Sequence, residues 1–353
     1  VRPTGAATTG LGRTARRAGR GRPRVEPVVW SLGAAFAAVL PLVLPVPYHL
    51  STAITALMFV ALAVSFDLVV GRIGALSLCQ PVFFGFGSYA AAILSTRHGW
   101  SFGPTLAVAA LAAVGVALAI GVPSFRLSLH AFAIATLGFA TIAVLLAKNW
   151  VGLTGGPLCT TGVPAMTLFG VELTSLAAQY YVVLGLAALT VGVAFGVSRS
   201  RLGLALTAVR DDPVLAAARG LSPTAFRLTA FGLSAALSAT VGVFNAYFQS
   251  VVCPENLDMS YMTALLIMVF VGGRGSLRGV VSAALLFTVL PQLLHLAEEW
   301  RMVIYGLVLL GVVIAVPDGL ERAFQAAGRL RRPPPPPPPP ATAPPATREK
   351  ATR

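Results

Sequence analysis

The fifteen residues 209–223, VRDDPVLAAARGLSP, carry two acids, two arginines, two prolines and a glycine between long apolar runs. Asp212 has the short acceptor side chain that an N-cap needs. Pro213 suits the first helical position, which requires no N–H, and Gly220 suits the left-handed residue that closes a helix. This punctuation predicts a separate short helix over 213–219, with Ser222-Pro223 opening the next one. Leu215 and Ala218 share a face, three apart, flanked by the charges of Arg210 and Arg219. Elsewhere, Asp67 is an ionisable residue inside an apolar run, where a charge is costly unless it faces other protein groups or pairs. Ser77, Gln80 and Ser88 offer polar contacts either to a zwitterionic solute or to neighbouring helices.

Little else in the chain is suited to catalysis. The four histidines, His49, His98, His130 and His295, are scattered, and no Ser/His/Asp or Cys/His arrangement is readable around them. Cys79, Cys159 and Cys253 form no CxxC pair and no Cys/His cluster, so neither a metal site nor a cofactor is expected. The phosphate loop G-x-x-x-x-G-K-[ST] does not occur, so the chain is not expected to hydrolyse ATP by itself.

The elements that hold these residues belong to lipid. Of 353 residues, 56% are hydrophobic and only 11% charged, against about 25% charged in a soluble domain. The mean hydropathy is +0.80. Apolar segments run over 28–46, 50–70, 76–95, 104–122, 130–147, 178–198, 226–250, 260–272, 279–296 and 301–317. Several approach the ~20 residues that cross a bilayer as a helix. Segment 76–95, rich in Gly and aromatics, and the short 260–272 are candidates for broken or re-entrant helices. The expected fold is an all-α polytopic transmembrane bundle of about ten segments.

The Lys/Arg bias orients it. With the N-terminus inside, the cytoplasmic loops hold Arg72, Arg126, Arg199, Arg201, Arg210, Arg219, Arg274 and Arg278. The outer loops hold Arg97, Lys148, Glu172, Glu255, Asp258, Glu298, Glu299 and Arg301. Both termini are therefore expected in the cytoplasm. Much of the net charge of +14 lies in the ends: a basic N-terminal arm, 1–27, and an Arg/Pro-rich tail, 321–353, with PPPPPPPP at 333–340. Their Gly, Ala, Thr and Pro content predicts disordered arms near anionic lipid and excludes a nucleic-acid face. The transmembrane domain is 28–320, with 199–225 as its longest inner loop. Trp150 fits an interfacial anchor in the outer loop 148–177. Cys159 and Cys253 both fall on the outer side, where the compartment permits a disulfide, but sequence alone leaves their pairing open.

Four stretches carry a family resemblance. LVVGRIGALSLCQPVFFGFGSYAAAIL (68–94), LHAFAIATLGFATIAVLLAKNWVGLTGGPLCTTGVP (129–164), LALTAVRDDPVLAAARGLSPTAFRLTAF (204–231) and MTALLIMVFVGGRGSLRGVVSAALL (262–286) are similar, in the same order, to motifs of the branched-chain amino-acid permeases of the LivM type. Asp67, Arg72, Cys79 and Ala217 stand where that family usually has other residues.

The resemblance implies a transport subunit of a bacterial inner-membrane, ATP-driven importer. Its partners would be a second, LivH-type permease subunit, two ABC ATPase subunits and an extracytoplasmic solute-binding protein. The loop 209–223 would be the coupling helix that meets the ATPases, through Arg210, Asp211, Asp212, Pro213, Leu215 and Gly220. The solute path is expected at Asp67, Ser77, Gln80 and Ser88. The nearest alternative is a urea or short-chain amide permease. A secondary transporter driven by an ion gradient is a different class, and it would make Asp67 an ion site.

Overall fold

The computed structural model describes residues 37–41, 47–168 and 170–293. Both terminal arms, the segment 301–317, and 28–46 apart from 37–41 lie outside the described residues. The long helices are α1 (Pro47–Val70), α2 (Gln80–His98), α3 (Phe102–Ser124) and α4 (Leu129–Asn149). After a single turn, α5 (Val151–Thr154), come α6 (Leu176–Arg199), α7 (Arg201–Asp211), α8 (Pro213–Ala218), α9 (Pro223–Gln249), α10 (Met259–Gly272) and α11 (Leu277–Leu293). Among the described residues α1, α3, α4, α6 and α9 are long and apolar enough to cross a membrane. Segments 76–95 and 260–272 contain uninterrupted helices, Gln80–His98 and Met259–Gly272; the non-helical stretch 71–79 precedes the first of them and joins it to α1. Capping residues set many of the starts. Ser128, Ser175 and Ser200 accept from the amides of Ala131, Ala178 and Gly203, and α2, α8 and α9 carry Pro in the first two positions.

Loop contacts divide the bundle into two ends. At one end Cys159 and Cys253 form a disulfide with Cα atoms 4.3 Å apart. Beside it β1 (Thr160–Thr161) pairs antiparallel with β4 (Val251–Val252), in register Thr160 to Val252. At the same end β2 (Thr167–Leu168) pairs with β3 (Val171–Glu172), and Arg97 donates to the Gly152 carbonyl. At the other end the crossover after α1 meets α7 and the turn between α10 and α11. Arg97 and Cys253 thus lie at one end, and Arg72, Arg210 and Gly275 at the other.

α1 and α9 are the buried centre, whereas α4 shows most of its surface. Lipid tails are as apolar as leucine, so helices associate in a membrane through close packing and interhelical hydrogen bonds. α2 and α9 show both. A Cβ at Gly87 would overlap the backbone of Ala239, one at Gly242 would overlap the backbone of Phe84, and Ser88 Oγ donates to the Gly242 carbonyl at 2.9 Å. Near the start of α4 Phe125 and Phe132 stack at 4.5 Å, Phe231 packs edge-on against both, and Phe83 packs edge-on against Phe231. Leu206 of α7 is fully buried in that aromatic cluster, so the inner loop is anchored on the core.

Candidate functional site

α8 forms as its punctuation requires. Asp212 Oδ1 accepts from the amides of Val214 and Leu215 at 3.0 and 2.9 Å, a cap worth about 1 kcal/mol. Gly220 has φ +83°. Its amide donates to Ala217 O at 2.9 Å and that of Leu221 to Ala216 O at 3.1 Å, the paired 5→2 and 6→1 bonds of a glycine-closed helix end. Only Ala216 of α8 is buried. Val214 and Leu215 are 78% and 51% exposed, and Ala218 is exposed beside them. The result is a small apolar face held away from the bundle between Asp211, Asp212 and Arg219.

The inner loop differs from expectation in two ways. It holds two helices: α7 begins at a Ser200 cap and is pinned by Leu206 and Val209, both fully buried. Ser200 three residues before Gly203 was a readable start signal. The second difference is at Ser222. It occupies the cap position of α9, but its side chain makes no capping bond, and Pro223 alone supplies the start.

The remaining sequence-selected residues fall into separate settings. Gln80 Nε2, with two protons to donate, lies within hydrogen-bond distance of three acceptors: Ser65 and Ser234 Oγ at 3.1 Å each, and Ser238 Oγ. Ser65 and Ser238 share a 2.9 Å bond, and Ser234 Oγ donates to the Ser65 carbonyl at 2.6 Å. All four side chains are fully buried, in a polar seam joining α1, α2 and α9. Ser77 bonds Cys79 Sγ at 3.3 Å, and Ser88 bonds α9 as described. The three serines of the seam were not selected from sequence, because single serines in apolar runs carry no local signal of facing one another.

Asp67 is 3% exposed at the inner end of α1. Its Oδ1 accepts from the Gly275 amide at 2.7 Å. Arg72 donates to the Gly275 carbonyl and to Ser198 Oγ, so both side chains meet one glycine of a distant turn. Arg210 donates to the Gly71 carbonyl at 2.6 Å. Asp67 and Arg210, read from sequence as parts of two different sites, are therefore neighbours.

On the outer face Thr154 Oγ1 donates to Ala147 O at 2.6 Å, and Trp150 is exposed. Cys159, Cys253 and Glu255 lie close together, but the two sulfurs are bonded to each other and hold no thiolate for a metal.

An all-helical, multi-pass membrane protein with a capped helix presented from one end is thus defined. A family model described as "Branched-chain amino acid transport system / permease component" matches residues 48–313. The high-affinity branched-chain amino acid transport system permease protein LivM of Escherichia coli K12 is 32% identical over 287 residues, covering 75% of this chain and 68% of the relative. LivM of Salmonella typhimurium is 31% identical over the same shares. The LivH permease of Escherichia coli K12 is 25% identical, covering 74% of this chain and 90% of the relative. No solved structure matches the chain significantly. The chain belongs to the family of branched-chain amino acid transport system permease components.

Proposed function

We propose that the chain is the M-type permease subunit of an ATP-driven importer for branched-chain or related amphipathic amino acids in a bacterial inner membrane. Its partners would be an H-type permease, two ATPases and an extracytoplasmic binding protein. Higher similarity to LivM than to LivH supports the M-type assignment. About ten segments, with both termini cytoplasmic, are our reading of the apolar runs together with the segregation of arginine between the loops. The basic arm 1–27, the transmembrane domain 28–320 and the tail 321–353 complete the organisation.

The observation that carries the reading is α8. An apolar face built from Val214 and Leu215, rigid at both ends and outside the buried core, is a surface that waits for a partner. ATP binding would close the partner ATPases and displace α8. Only a difference in contact free energy between two states can drive the switch, and the ATPases supply it from outside this chain. For the solute path we assign the seam around Gln80. When the helices part, its donors and acceptors would exchange bonds with each other for bonds to the ammonium and carboxylate of the solute. Ser77 and Ser88 flank it on the same stretch of chain.

The test is ATP-dependent leucine uptake in proteoliposomes holding the assembled transporter, as wild type or with Leu215→Asp or Gly220→Pro. Uptake that requires ATP and fails in both folded variants supports the reading. Uptake driven by an ion gradient without the ATPases would overturn it, and ATP turnover without leucine uptake would redirect the search to urea and short-chain amides.

A further inference from the structure

Two interruptions of the helical ladder meet at the inner end. The chain is non-helical from Gly71 to Cys79, and again from Gly273 to Ser276. Inside a helix, backbone amides and carbonyls are occupied by one another; at a break they are free for side chains to take. Here they are taken across the sequence. The Gly275 amide, at φ +80°, donates to Asp67 at 2.7 Å, and the Gly275 carbonyl accepts from Arg72 at 3.2 Å. A methyl group at Gly71 would overlap both the Asp67 carboxylate and the Gly275 amide. The two breaks are therefore in direct contact, and their separation is set by these groups.

α7 is the third member. Arg210 reaches from its last turn to donate to the Gly71 carbonyl at 2.6 Å, and its aliphatic stem lies across Gly74, with Cγ 2.7 Å from where a Cβ would stand. Arg210 is two residues before Asp212, the cap of α8. The carboxylate of Asp67 is buried and feels the guanidinium groups of both Arg72 and Arg210. A buried carboxylate needs hydrogen-bond partners; Asp67 takes its own from the Gly275 amide, while Arg72 and Arg210 bond the backbone of the two breaks beside it. A displacement of α8 along α7 pulls on the first break through Arg210 and on the second through Asp67. The first break joins α1 to α2, and the second joins α10 to α11.

We propose that Asp67 and Arg210 are the positioning residues of a transmission junction, which converts movement of α8 into concerted movement of both broken-helix crossovers. This rests on the coupling role proposed for α8. It places Asp67 in the drive train of the transporter, away from the solute.

The experiment uses the full transporter in proteoliposomes and reads three quantities: leucine moved per ATP hydrolysed, the KM for leucine delivered by the binding protein, and the unfolding midpoint. The variants are Arg210→Ala, Arg210→Lys, Asp67→Ala and Asp67→Asn, with Leu215→Asp as the control for α8. Arg210→Ala and Asp67→Ala are expected to lower the leucine-to-ATP ratio by about 5-fold or more, with KM within about 2-fold of wild type.

Arg210→Lys keeps a donor for the Gly71 carbonyl, and Asp67→Asn keeps an acceptor for the Gly275 amide. Both are expected to recover part of the ratio, which a passive packing role would not predict. If one alanine variant fails to fold, the other, read against its conservative partner, decides: a wild-type ratio in it, or no recovery in the partner, would overturn the proposal. A raised KM at an unchanged ratio would also overturn it and return Asp67 to the solute path. If Leu215→Asp leaves uptake intact, the coupling role of α8 fails first. If Leu215→Asp abolishes uptake while the alanine variants at Asp67 and Arg210 transport normally, only the junction fails.

Discussion

The two ends of the bundle are tied by different chemistry. The outer end is closed covalently: the Cys159–Cys253 disulfide joins positions 94 residues apart, β1 pairs with β4 beside it, and Leu257 fills the notch at Gly85. The inner end is closed by hydrogen bonds from Asp67, Arg72 and Arg210 to backbone groups that helix breaks leave open. A covalent link keeps one geometry through every cycle. Charge-assisted hydrogen bonds can be broken and remade at a cost of a few kcal/mol. The disulfide end is therefore the fixed one of the two, and the hydrogen-bonded end the one that can rearrange.

The comparison can be broken most severely at the centre. Gly242→Leu is expected to part α2 from α9 and remove the frame that both ends share, giving no monodisperse protein in detergent by gel filtration. A folded variant would show that the backbone contact at Gly87 and Gly242 is dispensable. Next, replacing both Cys159 and Cys253 by Ser should lower stability by about 2–4 kcal/mol, seen as a drop in the melting midpoint. Hydrogen exchange of α7 and α8 should stay as in wild type, and faster exchange there would mean that the ends are not independent.

Smaller effects sharpen the inner end. Gly220→Ala forces a side chain into a left-handed conformation and should cost about 1–2 kcal/mol, read as faster exchange at Gly220 and Leu221 and as reduced uptake. Asp212→Ala should cost about 1 kcal/mol locally. Ser222→Ala should be within about 0.5 kcal/mol of neutral, because no capping bond is lost; a measurable loss would show that Ser222 does cap α9 in the bilayer.

α8 was legible almost residue by residue. Its determinants are local: a cap acceptor at Asp212, a fixed φ at Pro213 and a glycine at the exit. The positions of α1, α3, α4, α6 and α9 were legible for a related reason, since a continuous apolar stretch of bilayer length can satisfy its backbone only as a helix. α7 was overlooked because its anchors, Leu206 and Val209, are ordinary apolar residues until a core exists for them to enter. The disulfide stayed open because 94 residues of intervening chain say nothing about whether two sulfurs meet.

The polar groups show the same boundary from the other side. Sequence identified Asp67 as costly in lipid and Ser77, Gln80 and Ser88 as polar groups able to bond a solute or a neighbouring helix, and those judgements need only their chemistry. Which partner repays the cost is a matter of long-range geometry. Gln80 meets Ser234 and Ser238 across more than 150 positions, and Asp67 meets Gly275 across 208. Composition and local punctuation thus determined a helical membrane bundle and the short capped helix α8. The tertiary structure alone decided that Arg210 bonds the first break and Asp67 the second, side by side, because contacts between distant segments exist only once the helices have packed.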